Sequence, residues 1–139
     1  TGQVRVVRVV TALDAGRVIN PALLAGQVEG GVVMGQGYAL QEHCRVRNGM
    51  PISLGLDACG LPTAMDAVPA IETIAIASPE PAGPFGARGI GEITMIPVVP
   101  AITAAIHAAT GVWIDEIPAL PERILAALTA ARGARARGD

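Results

Sequence analysis

The 139-residue sequence predicts a single α+β domain: a small mixed or antiparallel sheet with two or three helices. Three observations point there. Residues 4–13, VRVVRVVTAL, are a β-branched run. Residues 71–78, IETIAIAS, alternate in the manner of a strand. Asn20-Pro21 and Pro121 open apolar segments that have helical length, and these segments do not alternate regularly with the strands.

In chain order, the first run is a strand interrupted by Arg5 and Arg8, and Asp14-Ala15-Gly16-Arg17 is a turn. Asn20 then caps a helix with Pro21 in its first position, running to about residue 42. Gly26, Gly30, Gly31, Gly35 and Gly37 all lie inside it. An interior glycine costs about 0.8–1 kcal/mol relative to alanine, so five cost about 4–5 kcal/mol. Gly26, Gly30, Gly31 and Gly35 fall at i, i+4 or i, i+5 and share one face. Such a smooth face suits another helix or a strand, or else a flat ligand; from spacing alone the first is preferred. Residues 43–47 and 50–54 form a hairpin about Asn48-Gly49. Residues 55–70 are irregular, and 71–78 are the next strand. Pro97 or Pro100 starts a helix that Gly111 ends after Thr110. Residues 115–120 are a linker, and Pro121 starts a last helix that runs to about residue 132. The domain is taken as 1–131, with 132–139, RGARARGD, a disordered basic tail.

Composition excludes several classes. Net charge is −2, against the basic excess expected of a nucleic-acid binder. All ten basic residues are arginine, which reads as genome composition. Aromatics make up only 2% of the chain, so valine, isoleucine, leucine and alanine must build the core. Cys44 and Cys59 do not have the spacing of a zinc or iron–sulfur site; buried free thiols are expected rather than a disulfide. The apolar stretch 93–114 approaches the length of a membrane span, but Pro97, Pro100 and the lack of basic flanks favour a buried helix. The opening residues lack the layout of a signal peptide, so the expected location is cytoplasmic; the chain also starts in mid-strand, as a fragment or processed subunit would.

No dinucleotide fingerprint, phosphate loop, zinc pattern or nucleophile elbow is present. What stands out is "GPFGARGIGE", residues 83–92, with four glycines ahead of one acid, Glu92. Its backbone can turn N–H groups toward an anion. Glu92 itself is either an acid favoured by a helix N-terminus or a partly desolvated general base.

The stretch "GPFGARGIGEITMIPVVPAITAAIHAATG" resembles the C-terminal signature of the molybdenum-binding subunits of the xanthine dehydrogenase/aldehyde oxidase family. "DAGRVINPALLAGQVEGGVVMGQGYALQE", "LPTAMDAVPAIET" and "IPALPERILAAL" resemble further segments of the same family, in order and with similar spacing. The resemblance implies a molybdenum hydroxylase acting on an aldehyde or aromatic N-heterocycle, with the inserted oxygen derived from water. It implies that Glu92 is the general base beside the metal without ligating it. It further implies that Arg88, Gly89, Ile90 and Gly91, with Met34, Gly35 and Gln36 on the glycine-rich helix, lie along a molybdopterin cofactor, here in its cytosine dinucleotide form. On this basis the glycine face reads as a cofactor-side element. The expected partners are the remainder of the molybdenum subunit, a 2Fe-2S subunit or domain and an FAD subunit or domain; no nucleic acid or membrane span is expected. The chain departs from the family where Ile93-Thr94 replace a Pro-Pro pair and Met34 replaces a glutamine. Two other readings stay open: a structural remnant of such a complex, and a small-molecule binding module without redox chemistry.

Overall fold

The computed structural model of the chain describes residues 1–66 and 68–137. Strand β1 (Arg8–Asp14) is followed by a capped helix, α1 (Pro21–Leu40), as the Asn20-Pro21 signal requires. The side-chain oxygen of Asn20 accepts a hydrogen bond from the Leu23 amide at 3.1 Å. A two-residue ribbon, β2 (Val46–Arg47) and β3 (Met50–Pro51), turns at Asn48-Gly49, both with positive φ (50° and 79°). Its strands are shorter than expected because both are exposed and, among the described residues, no third strand pairs with them.

Strand β4 (Ala70–Ile76) returns alongside β1 in parallel, with Arg8 opposite Ala70 and Asp14 opposite Ile76. The expected mixed pairing therefore takes the form of two separate pairs, one parallel and one antiparallel. The long connection through α1 is what allows the parallel one.

Helix α2 (Val98–Thr110) follows Pro97 and ends at Gly111, whose φ of 77° lets its amide donate to the His107 carbonyl at 2.7 Å. Trp113 then stacks on the His107 ring at 3.9 Å. Val98, Ile102 and Ile106 of α2 join Leu24, Val28 and Val32 of α1 in one core with Leu13, Ala39 and Ile124. Val28 and Val32 are fully buried.

The expectation of a buried helix at 93–114 needs correction, because only one face of α2 is covered. The segment Glu92–Thr110 is long and apolar enough to cross a membrane, and 22% of it is buried within this chain. Its regular α-helical part is 13 residues. That is a length of about 20 Å, short of the hydrocarbon thickness of about 30 Å.

Helix α3 (Pro121–Arg137) corrects a second expectation. The basic tail continues the helix to Arg137 instead of fraying at 132, since alanine and arginine are both strong helix formers. Residues 138 and 139 lie outside the described part of the chain.

Candidate functional site

The glycine-rich face of α1 divides into two. A methyl group added at Gly31 would stand 2.1 Å from Thr94 Oγ1, and one added at Gly35 would stand 2.5 Å from Val98 Cβ. These two glycines bring α1 up against the start of α2, as a helix-packing role demands. Gly26 and Gly30 would meet nothing within 4 Å. That pair leaves an open strip of backbone.

Across from α1, residues 79–91 form a loop held by its own backbone and by the end of β1. Gly86 accepts hydrogen bonds from the Arg17 amide (2.7 Å) and the Glu80 amide (2.9 Å), and the Arg88 amide donates to the Ala15 carbonyl (3.0 Å). Phe85 takes a left-handed conformation (φ 54°) and is 83% exposed. A positive φ on an aromatic residue is strained and is held by the turn around it. The Arg88 guanidinium reaches Asp14 (3.6 Å) and Glu80 (3.3 Å), so its side chain fastens the loop to β1. Asp14 in turn accepts from the Gly16 amide at 2.8 Å.

Past Arg88 the backbone opens. Gly89 and Gly91 would have nothing within 4 Å of an added methyl group. Among the described residues, the amides of Gly89, Ile90 and Gly91 meet no acceptor. Ile90 and Gly91 line a cleft of about 330 Å³ with Arg88, Asn20, Leu23 and Gln27.

The acid comes next. Glu92 opens a short 3-10 turn, Glu92–Thr94, behind which Thr94 is buried to 1% exposure. The Gln27 side-chain amide donates to the Gly91 carbonyl at 3.1 Å. The Thr94 hydroxyl is 3.1 Å from the same carbonyl and 3.4 Å from that of Gln27. The peptide before Glu92 is therefore gripped from α1 and from its own turn. Glu92 itself is exposed within this chain, whose residues supply its footing.

The expected site residues separate in space. Arg88, Ile90 and Gly91 line the cleft, and Gly89 lies between them. Gly35 is consumed by packing against Val98, Met34 is half exposed, and Gln36 lines a different cavity with Leu40, Gln41 and Asp66. Gln27 and Thr94 carry the contacts to the acid's turn, and neither was singled out from sequence for that part. The signal available was the Gly-Gln-Val-Glu-Gly-Gly segment that contains Gln27. No cluster of three or more histidine, cysteine, aspartate or glutamate side chains that could hold a metal ion occurs among the described residues.

Comparison with known proteins identifies the family. Residues 1–68 match a family model described as a molybdopterin cofactor-binding domain. The chain is 38% identical over 128 residues to a probable xanthine dehydrogenase subunit of Bacillus subtilis, covering 92% of this chain and 17% of that protein. Among solved structures it resembles the aldehyde oxidoreductase from Desulfovibrio gigas (TM-score 0.82, 34% identity, 93% of this chain and 14% of that one). It also resembles quinoline 2-oxidoreductase from Pseudomonas putida 86 (TM-score 0.78, 32% identity, 86% of this chain and 16% of that one). The chain thus spans about a sixth of the length of the relatives it matches. With its α+β fold and its GPFGARGIGE loop set beside a glycine-rich helix, the chain belongs to the molybdopterin-binding subunits of the xanthine dehydrogenase/aldehyde oxidase family.

Proposed function

We propose that this chain contributes the general base and one wall of the cofactor cradle to a molybdenum hydroxylase that oxidises an aldehyde or an aromatic N-heterocycle. The observation that carries this is the run of amides at Gly89, Ile90 and Gly91 with no acceptor among the described residues, leading directly into an exposed acid whose preceding peptide is held by Gln27 and Thr94.

The residues suit the cofactor. An edge of backbone N–H groups with no side chain in the way fits a flat, anionic pterin dinucleotide, and the open strip at Gly26 and Gly30 allows close approach from α1. When bound, the molybdenum cofactor supplies two-electron oxidation of a carbon centre with oxygen drawn from water. Gly89, Ile90 and Gly91 hold its polar edge through their amides, and Arg88 keeps their loop in place through Asp14 and Glu80. Glu92 accepts, at a carboxylate oxygen, the proton released from the attacking water-derived oxygen. A general base must sit within hydrogen-bond reach of the proton it takes, and the grip on the Gly91 carbonyl fixes where that carboxylate starts.

The same proposal includes partners. Val7, Val10, Ile74 and Ile76 of the β1–β4 region are exposed. Apolar surface of this kind marks an interface, here with the remainder of the molybdenum subunit. A 2Fe-2S partner and an FAD partner complete electron transfer, and the pterin is taken as the cytosine dinucleotide.

The test is Glu92→Gln in the complete enzyme. Loss of a general base costs about 10²- to 10⁴-fold in turnover. The expected outcome is that loss with molybdenum content unchanged. Near-normal turnover would remove Glu92 from the base role.

A further inference from the structure

Cys44 and Cys59 have no part in the site described above, yet the fold brings them together from 15 residues apart, with their sulfurs 2.8 Å from each other. Two contacts hold the two segments side by side: the His43 amide donates to the Cys59 carbonyl at 2.7 Å, and the two thiols share a hydrogen bond. The backbone at Gly60 passes so close to the Gln41 carbonyl that an added methyl group would stand 2.9 Å from it. The two cysteines differ in access: Cys44 is exposed and Cys59 is buried, which corrects half of the expectation that both are buried. Both are reduced.

We propose that Cys44 and Cys59 form a thiol-oxidation site whose co-substrate is a low-molecular-weight disulfide. The exposed Cys44 thiolate attacks one sulfur of the small disulfide, giving a mixed disulfide and releasing one small thiolate. Cys59 then loses its proton and attacks Cys44 Sγ. The mixed disulfide breaks, a Cys44–Cys59 bond forms, and the second small thiol leaves. In sum, two protein thiols lose two protons and two electrons, and one small disulfide becomes two small thiols.

The asymmetry sets the order of events. Attack requires a thiolate with access to solvent, which only Cys44 has. The hydrogen bond with Cys44, followed by burial, pushes the Cys59 thiol up from its ordinary value. The product staples the end of α1 to the 3-10 turn Asp57–Cys59 and closes the β2–β3 hairpin between them.

The experiment treats the complete molybdenum subunit, within its complex, with oxidised glutathione. Remaining thiols are then alkylated, and peptides are mapped without reduction. The expected result is a peptide pair joined through Cys44 and Cys59, lacking glutathione and lost on reduction. A Cys59→Ser variant should instead keep glutathione on Cys44, and a Cys44→Ser variant should leave Cys59 unmodified. A lasting glutathione adduct on Cys44 in the unaltered protein, or separate alkylation of both thiols after oxidation, overturns the proposal.

Discussion

The side-chain amide of Gln27 donates to the carbonyl oxygen of Gly91 at 3.1 Å, joining residues 64 positions apart. Gly91 immediately precedes Glu92, so α1 reaches the acid's own backbone through this one contact. Thr94, from the other side, brings a second donor to the same oxygen at 3.1 Å. Removing one donor takes away a hydrogen bond with a net worth of about 0.5–1.5 kcal/mol. Misplacing a catalytic group by about 1 Å costs about 10²-fold in rate. Gln27→Leu in the complete enzyme is therefore expected to lower turnover more than it lowers the melting temperature, with molybdenum retained. Steady-state kinetics beside thermal unfolding separate the two effects, and a fall in stability alone would leave Gln27 as packing.

The two kinds of glycine on α1 make opposite predictions. Gly31→Ala drives a methyl group into the buried Thr94, 2.1 Å from its Oγ1. Overpacking of this kind costs about 1–3 kcal/mol, and here it also pushes on the turn that carries Glu92. Gly30→Ala meets nothing within 4 Å and replaces a helix glycine, a change worth about 0.8–1 kcal/mol in favour of the helix. If the open strip faces the cofactor, Gly30→Ala should fold as well as the parent or better, yet bind less molybdopterin. Melting temperature and cofactor content, measured on the same preparations, give the answer. Full cofactor content in Gly30→Ala would mean that the strip faces something else.

Much of this was readable from residue order. Asn20-Pro21 marked the start of α1, Gly111 the end of α2, and Asn48-Gly49 the hairpin, because each relies on local chemistry that its neighbours do not override. The acid of the proposed site, Glu92, and the loop before it stand out in the sequence as glycines crowded against a single carboxylate. The division of the glycine face was not visible. Gly30 and Gly31 are adjacent in sequence, and only the position of Thr94 makes one a packing residue and the other open. For the same reason the cofactor-side expectation at Met34, Gly35 and Gln36 did not reach the cleft, while Gln27, two turns earlier, did. Periodicity says which residues share a face, and it cannot say what that face meets.

A pH-dependent prediction rests on Asp66. The Thr63 amide donates to its Oδ2 at 2.6 Å and the Thr63 hydroxyl at 2.9 Å. These bonds, the backbone one foremost, hold its carboxyl below the ordinary value of 3.8. A lowered native pKa means that the unfolded chain takes up the proton first. The stabilising contribution is therefore complete above 3.8 and drains away as pH falls through the lowered native value. Asp66→Asn should weaken the 61–66 turn at neutral pH and flatten its acid dependence. Amide hydrogen exchange of that turn, followed on both sides of this pH, checks the sign. Equal acid dependence in the two proteins would show that another group drives it.

Arg88 offers the clearest separation between fastening a loop and binding an anion. Its guanidinium lies 3.6 Å from Asp14 and 3.3 Å from Glu80, and its side chain is 41% exposed. Ion pairs this open to solvent are worth about 0–1 kcal/mol, so Arg88→Gln should barely move the melting temperature. Its effect should fall on the loop that carries the Gly89–Gly91 amides. Asp14→Asn removes the anchor on β1 that Arg88 uses, so the two substitutions should share one effect on cofactor retention, and the double variant should lose little more than either single one. Residues within one network show such non-additivity, of about 0.5–3 kcal/mol. A cycle of the three variants, read as molybdopterin content and turnover of the complete enzyme, measures it. Strictly additive losses, with Arg88→Gln much the larger, would mean that the guanidinium meets the anionic cofactor directly and that its contacts with Asp14 and Glu80 are incidental.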